Sequence, residues 1–133
     1  MIHRRFFFVS VALAFVIVCA PLFWPGVILK VSPDSLMNLI ADGDVPAILD
    51  VRTQYEYEKE HIPHALHVPL TTIVFGHDDL AVSRQKNVIV YCGTGIRARI
   101  ASAYLKLVGF KSVYILEGQL EGWKKEGLPV VVS

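Results

Sequence analysis

The stretch NVIVYCGTGIRARIASAYLKLV, Asn87–Val108, decides how the rest of the chain is interpreted. It begins with an apolar run typical of a buried strand, continues through a short loop with two glycines, and ends in a sequence with helical periodicity that opens at Arg97. The predicted order is therefore strand, loop, helix. Because Cys92 directly follows the apolar run, we expect it at the carboxyl end of a strand, where open α/β sheets bind ligands.

The loop after Cys92 has the composition of an anion-binding cradle. Its backbone N–H groups precede the first hydrogen-bonded turn of a helix, so they have no helical partner and lie at the positive end of the helix dipole. A thiol held among such groups is expected to be largely thiolate, the form that attacks electrophiles. The alternative is an inert buried cysteine. Cys92 is the candidate catalytic residue. The candidate binding residues are Gly93, Thr94, Gly95, Ile96 and Arg97.

Length and charge limit the possible functions. The chain has 133 residues and a formal net charge of +1, with Lys and Arg scattered along it. This pattern predicts no basic face, so we expect no nucleic-acid partner. Of the two cysteines, Cys19 lies in an apolar N-terminal run, which leaves Cys92 alone in the folded part. No disulfide is therefore expected within that part.

The first 29 residues are predicted to form a membrane anchor or signal segment. The run Phe6–Leu29 contains no charged residue and is long enough to span a bilayer. Arg4 and Arg5 precede it, which predicts an N-terminus on the inside and a domain outside the cytoplasm, periplasmic in a bacterium. We favour an uncleaved anchor over 1–29, followed by one domain over 30–133. The alternative is a signal peptide cleaved after Ala20, which would release the domain.

The rest of the chain alternates short strands with helices. This alternation predicts an α/β domain whose parallel sheet is covered by helices on both faces. Ser32-Pro33 is typical of the start of a helix, and Ala47–Leu49 of a brief buried strand. A last helix is predicted over Gln119–Glu126, with Trp123 facing inward.

The helix after the loop is predicted to pack on the sheet through residues at helical spacing. Gly109 followed by Phe110 indicates where this helix stops. The expected apolar face is Ile96, Ile100, Ala103, Tyr104 and Leu107.

The charged residues and histidines of segment 52–67 allow two further interpretations. Arg52 and Glu56 lie four residues apart and could form an ion pair on a helix. His61, His64 and His67 are spaced by three residues, a spacing that could give a metal-binding face on a helix. Prolines within and after this segment forbid a regular helix there, and no Cys, Asp or Glu completes a ligand set. We therefore predict no metal site.

Several segments after the N-terminal run together match one known family. They are Asp50-Val51-Arg52, Glu56, His61-Ile62-Pro63, Ala65, Tyr91-Cys92-x-x-Gly95-x-Arg97, Gly109-Phe110, Glu117-Gly118, Trp123 and Pro129. From about Val31 to Val130 the chain resembles a single rhodanese domain. The resemblance implies a five-stranded parallel sheet with helices on both sides. It also implies sulfur transfer, with Cys92 as the persulfide-bearing cysteine and 93–97 as the active-site loop.

Three positions depart from the pattern of that family. Glu60 and His64 stand near His-Ile-Pro where glycine is common, and Gln119 stands where a second glycine often follows Gly118. These departures bear on the geometry of two turns. They leave Cys92 untouched.

The chemistry of the loop fits sulfur transfer on its own terms. Thiosulfate is a dianion, which N–H donors and a guanidinium would bind, and the same cradle would stabilise the departing sulfite. We expect Arg97 to contact the sulfonate, since Arg99 should point elsewhere around the helix. The donor would be thiosulfate or a persulfide and the acceptor a thiol or cyanide. No metal or organic cofactor is needed.

Two other function classes remain open. One is a cysteine phosphatase of the same architecture, although those enzymes resemble Cys-x5-Arg and only four residues separate Cys92 from Arg97 here. The other is a non-catalytic binding module, for which a missing cysteine would have been the signal. The sequence predicts no particular oligomeric state.

Overall fold

The computed structural model describes residues 28–132, apart from the side chain of His77. The strands are β1 Leu29–Val31, β2 Ala47–Asp50, β3 Leu66–His67, β4 Asn87–Tyr91 and β5 Ser112–Leu116. The helices are α1 Pro33–Ala41, α2 Gln54–Lys59, α3 Leu70–Gly76, α4 Ile96–Leu107 and α5 Gln119–Lys125, with a 3-10 turn at His77–Asp79.

The five strands form one sheet in the order β1-β5-β4-β2-β3, and each neighbouring pair is parallel. Strand β4 is central, because Val90 pairs with Leu49 of β2 on one side and with Ile115 of β5 on the other. All strands therefore end at the same edge of the sheet. The predicted five-stranded parallel sheet is confirmed.

Helices cover both faces of the sheet and divide the core into two layers. One layer includes Val88 and Val90 of β4 together with Ala101 and Leu105 of α4. The other includes Ile89 of β4 with side chains from α1 and α5, among them the fully buried Trp123. Alternate residues of β4 therefore enter opposite layers, as expected for a strand buried on both faces.

The predicted apolar face of α4 was wrong for its three large aliphatic residues, whereas Tyr104 packs against the core as predicted. Ile96, Ile100 and Leu107 are exposed, whereas the buried residues are Ala98, Ala101, Ser102 and Leu105. Three of these four are small, and small side chains let the backbone of a helix approach a sheet closely. Ile96, Ile100 and Leu107 therefore lie on a side of the helix that faces away from the sheet.

The ends of two helices follow the sequence signals closely. Ser32 caps α1 by accepting a hydrogen bond from the backbone N–H of Ser35 at 3.2 Å, and Pro33 is its first residue. Helix α4 ends at Leu107, and Gly109 two residues later has a φ of +99°. There the N–H of Phe110 donates to the carbonyl of Leu105 at 3.0 Å, and Phe110 is buried.

The predicted membrane segment lies almost entirely outside the described residues. Its last two residues, Ile28 and Leu29, fall within them, and Leu29 begins β1 by pairing with Tyr114. Within 28–132 no helix is long and apolar enough to cross a membrane. The anchor over residues 1–29 and the boundary at residue 30 stay predictions.

Candidate active site

Cys92 lies at the carboxyl end of the central strand. It follows β4 directly, its side chain is 0% exposed, and it packs in the same layer as Val90 and Ala98. The predicted placement of the cysteine is confirmed at the edge of the sheet where α/β proteins form ligand crevices.

The loop after Cys92 folds back over the sulfur. The backbone N–H of Gly95 donates a hydrogen bond to the sulfur, with 3.0 Å between nitrogen and Sγ. Gly95 has a φ of +98°, a left-handed conformation that favours glycine, and it is the N-cap of α4. The contact places a backbone hydrogen-bond donor directly on the sulfur.

The other predicted loop residues surround this contact. Gly93 and Thr94 complete the loop, and Ile96 and Arg97 are the first two residues of α4, one residue earlier than the predicted start. Thr94 and Ile96 are exposed, whereas Gly93 and Arg97 are half-buried. The side chain of Arg97 is therefore the one that packs against neighbouring structure.

Arg97 is bound to Glu56 of helix α2 by two hydrogen bonds. Its Nη1 and Nη2 donate to the two carboxylate oxygens at 2.7 and 2.9 Å. The Arg97 guanidinium holds the pKa of Glu56 well below its usual range. Glu56 also accepts from the backbone N–H of Thr53 at 3.0 Å, in a capping box at the start of α2. The pair thus ties the loop after Cys92 to a neighbouring helix, and much of the charge of Arg97 is already neutralised.

Arg52 does not pair with Glu56 as the sequence spacing suggested. Its Nε and Nη2 instead donate to the Asp50 carboxylate at 3.0 to 3.1 Å and 2.7 Å, and Nη2 also donates to the carbonyl of Glu60 at 2.6 Å. Both side chains are buried. Glu56 is unavailable because it binds Arg97. The Asp50–Arg52 pair joins the end of β2 to the end of α2.

The three spaced histidines do not form a cluster of ligands. The Tyr57 ring stacks on His61, with ring centroids 3.9 Å apart, and on His67 at 4.8 Å. His64 is exposed and has a φ of +65°, so it adopts the left-handed conformation that favours glycine. Within 28–132 no three His, Cys, Asp or Glu residues are arranged to hold a metal ion.

Gln119 belongs to the site although the sequence did not predict it there. Its Oε1 accepts a hydrogen bond from the backbone N–H of Cys92 at 2.8 Å, and its Nε2 donates to the carbonyl of Leu116 at 2.7 Å. Gln119 is 8% exposed and has a φ of +56°. Its replacement of the second glycine was the available signal, but that signal concerned only the turn.

A cavity of about 320 Å³ lies beside the loop, at the ends of β1 and β5. The backbone of Gly93 to Gly95 forms part of its wall. The charged residues that line it are Lys30, Arg99 and Glu117, all exposed. Arg99 therefore lies beside the loop, on the side of β1 and β5, whereas Arg97 faces α2. The cavity has a formal charge excess of one positive unit from these three side chains.

Comparisons with known proteins agree with this architecture. A family model of the rhodanese-like domain matches residues 32–126. A tRNA uridine(34) hydroxylase from Pectobacterium carotovorum is 38% identical over 102 residues, which are 71% of this chain and 29% of that protein. The chain thus spans less than a third of the length of the curated relatives that it matches.

Two solved structures share the fold at lower identity. A thiosulfate sulfurtransferase from Pseudomonas aeruginosa has a TM-score of 0.73 and 23% identity, over 80% of this chain and 20% of that one. A protein from Rhodopseudomonas palustris described as a possible tyrosine phosphatase has the same TM-score and identity, over 86% and 93%. Because these two names differ, the likeness shows the fold alone. The family model covers most of the chain, and the chain therefore belongs to the rhodanese-like domain family.

Proposed function

We propose that this chain is a sulfurtransferase in which Cys92 carries the transferred sulfur as a persulfide. The observation that carries the proposal is the contact between Cys92 Sγ and the Gly95 N–H, 3.0 Å apart at the end of the central strand. Cys92 is the one cysteine within 28–132, so no neighbouring thiol in that part can trap it as a disulfide.

The reaction runs in two displacements. The Cys92 thiolate attacks the outer sulfur of thiosulfate, a new S–S bond forms, and sulfite departs with the electron pair of the old S–S bond. A thiolate or cyanide then attacks the outer sulfur of the Cys92 persulfide and regenerates the thiolate. Neither step needs an oxidant, a metal or an organic cofactor.

Access to the sulfur requires the loop to move. Cys92 is fully buried, and the loop of Gly93 to Gly95 covers it. Two glycines in three residues give this segment the backbone freedom to shift when a donor binds. The Glu56–Arg97 pair limits that motion at the helical end of the loop.

The anionic end of the donor has two candidate partners. Arg97 was expected from the sequence, but its guanidinium already binds Glu56. Arg99 and Lys30 line the cavity on the other side of the loop, where Glu117 is the one acid. We propose that Arg99 and Lys30 attract the sulfonate, while Arg97 mainly shapes the loop.

The decisive test is the intact mass of the purified full chain after thiosulfate treatment. A gain of one sulfur atom, removed by cyanide or dithiothreitol, is the expected result. Cys19→Ser should keep this gain and Cys92→Ser should lose it, because serine without a base is too weak a nucleophile. Release of sulfite from thiosulfate by the Cys92→Ser variant in the presence of cyanide would contradict the proposal.

A tRNA reaction is the second candidate function. The relative from Pectobacterium carotovorum is named a tRNA uridine(34) hydroxylase, and its identity of 38% supports shared function better than the structural likenesses do. This name speaks against our prediction that nucleic acid is not a partner. Titration of the full chain with tRNA at several salt concentrations would test it, since phosphate contacts give a steep salt dependence. Saturable tRNA binding without persulfide formation would favour the second candidate.

Phosphate ester hydrolysis is the alternative that the fold permits. A phosphate monoester needs several N–H groups around three oxygens, whereas a sulfane sulfur needs a small pocket at the thiolate. The four residues between Cys92 and Arg97 make a small ring, which favours sulfur transfer. p-Nitrophenyl phosphate and thiosulfate should be compared on one preparation, with Cys92→Ser as the blank. Cysteine-dependent phosphate release alone would favour the phosphatase, and neither activity would favour a binding module.

We further propose that residues 1–29 anchor the domain outside the cytoplasm. The support is Arg4 and Arg5 before an uncharged run. In spheroplasts, protease should degrade the domain from outside. Protection until lysis would reverse the topology, and a mature chain that starts near Pro21 would show signal cleavage instead.

A further inference from the structure

Gln119 extends the hydrogen-bonded pairing of β4 and β5 by one residue. Strand β5 ends at Leu116, where the chain turns away from β4. The primary amide of Gln119 fills the next position, because it accepts from the Cys92 N–H at 2.8 Å and donates to the Leu116 carbonyl at 2.7 Å. The side-chain amide thus takes the place of a peptide group of the neighbouring strand.

Both polar groups of the Cys92 backbone are hydrogen-bonded to residues that follow β5. Its N–H binds Gln119, and its carbonyl accepts from the N–H of Leu120 at 3.4 Å. Gln119 also lies against the loop, since a Cβ built on Gly95 would be 3.7 Å from the Gln119 amide carbon. Gly95 is the residue whose N–H binds the sulfur. One side chain therefore binds the backbone of the nucleophile and lies next to the residue that donates to its sulfur.

Gln119 occupies a backbone conformation that disfavours any side chain. Its φ is +56°, directly after Gly118 at +66°. Gly118 must be glycine, because a Cβ there would lie 2.8 Å from the Gly122 Cα. Position 119 differs from position 118, because a glycine there would relieve the strain but would supply no amide. The strain is thus accompanied by two buried hydrogen bonds that only a side chain can make.

We propose that Gln119 is a positioning residue for the Cys92 nucleophile. It fixes the backbone of Cys92 and limits the movement of Gly95, so that the N–H of Gly95 stays directed at the sulfur. The role in turnover rests on the proposed sulfur transfer. The role in setting the thiolate does not, because alkylation of Cys92 reports on it independently.

Two substitutions separate the amide from the backbone strain. Gln119→Met keeps the size and the strained backbone but removes both hydrogen bonds. Gln119→Gly removes the hydrogen bonds and the strain together, so it provides a folded variant if the methionine variant is unstable. Gln85→Met is the matched control, because Gln85 is exposed and its side chain has no described contact with the loop. All variants carry Cys19→Ser so that alkylation reports on Cys92 alone.

The first measurement is the rate of alkylation by iodoacetamide as a function of pH. The plateau rate reports access to the buried sulfur, whereas the midpoint reports the thiolate. We expect the midpoint to move upward by roughly half a pH unit or more in both Gln119 variants, because a looser Gly95 N–H stabilises the thiolate less. Gln85→Met should leave the midpoint unchanged.

The second measurement is steady-state sulfur transfer from thiosulfate to cyanide at a temperature where every variant is folded. We expect kcat to fall roughly tenfold in both Gln119 variants with little change in KM, because misplacement of a reacting atom weakens the chemical step more than donor binding. A folded Gln119 variant with an unchanged midpoint and unchanged kcat would overturn the proposal. A wild-type protein that forms no persulfide, combined with a shifted midpoint in the variants, would overturn the sulfurtransferase function and keep the role of Gln119.

Discussion

The Asp50–Arg52 and Glu56–Arg97 pairs have similar geometry but lie at different depths. In each, a guanidinium donates at least two hydrogen bonds to one carboxylate. The Arg52 and Asp50 side chains are 7% and 0% exposed, whereas Arg97 and Glu56 are both 32% exposed. Solvent can replace a lost partner only in the second pair.

This difference assigns the two pairs to different tasks. A buried charge without its partner has no water to replace it, so Asp50 and Arg52 are required for the fold. The partly exposed pair contributes little to stability, and its partners can rearrange when an anion enters. Because Arg97 follows the loop after Cys92, such a rearrangement would change the shape of that loop.

The largest expected effect follows from breaking the buried pair. Arg52→Met should lower the free energy of unfolding by about 3 to 5 kcal/mol, because it leaves the Asp50 carboxylate buried without a cation. Urea denaturation would measure the change. Lys125→Met, at an exposed lysine on α5, is the control and should change stability by less than about 0.5 kcal/mol. A loss in Arg52→Met no larger than that of the control would show that the buried pair is not required for the fold.

The fold could be predicted from the sequence because the patterns that indicate it lie in neighbouring residues or recur in several segments. The apolar run before Cys92, the Ser32-Pro33 helix start and the Gly109-Phe110 stop each depend on neighbouring residues, and all three are confirmed. The loop around Cys92 was predictable for the same reason. Its glycines and its helix lie within a few positions of the cysteine.

The contacts that hold the loop were not predictable, because they join residues far apart in sequence. Glu56 and Arg97 are separated by 41 positions, and Cys92 and Gln119 by 27. Spacing along one helix suggested Arg52 as the partner of Glu56, but tertiary packing brought a different arginine to it. Packing also decided which face of α4 meets the sheet.

The partly exposed pair should matter for activity more than for stability. Arg97→Ala should lower kcat roughly tenfold with thiosulfate and with an uncharged persulfide donor alike, because it releases the loop whatever the donor. Its effect on the free energy of unfolding should stay within about 1 kcal/mol.

Arg99→Ala is the matched variant for the other side of the loop. It should raise KM for thiosulfate several-fold and leave the uncharged donor unchanged, because Arg99 lines the cavity without shaping the loop. A selective loss of thiosulfate in Arg97→Ala, with no effect of Arg99→Ala, would instead return the sulfonate contact to Arg97.

Neutralising the carboxylate tests whether the partly exposed pair competes with the donor. Glu56→Gln keeps an oxygen that can accept from Arg97 but removes the negative charge beside the loop. We expect KM for thiosulfate to fall by about two- to fivefold at low ionic strength, and the gain to fade at high salt. Steady-state kinetics at two salt concentrations would measure it. A rise in KM at low salt would show that Glu56 supports donor binding.

The smallest expected effect is the pH dependence of the stability that Glu56 contributes. The pKa of Glu56 in the folded protein lies well below its ordinary value of 4.5, because Arg97 hydrogen-bonds its carboxylate. A carboxylate with a lowered pKa stabilises the fold above the pKa of the unfolded chain, and this contribution is lost as the pH falls toward the folded value. The free energy of unfolding of the wild type should therefore exceed that of Glu56→Gln by a constant amount above about pH 5.5, and the gap should shrink steadily below about pH 5. Because the pair is one-third exposed, the gap should be under about 1 kcal/mol. Urea denaturation of both proteins between pH 3 and pH 7 would measure it, and a gap that widens as the pH falls would contradict the assigned pairing.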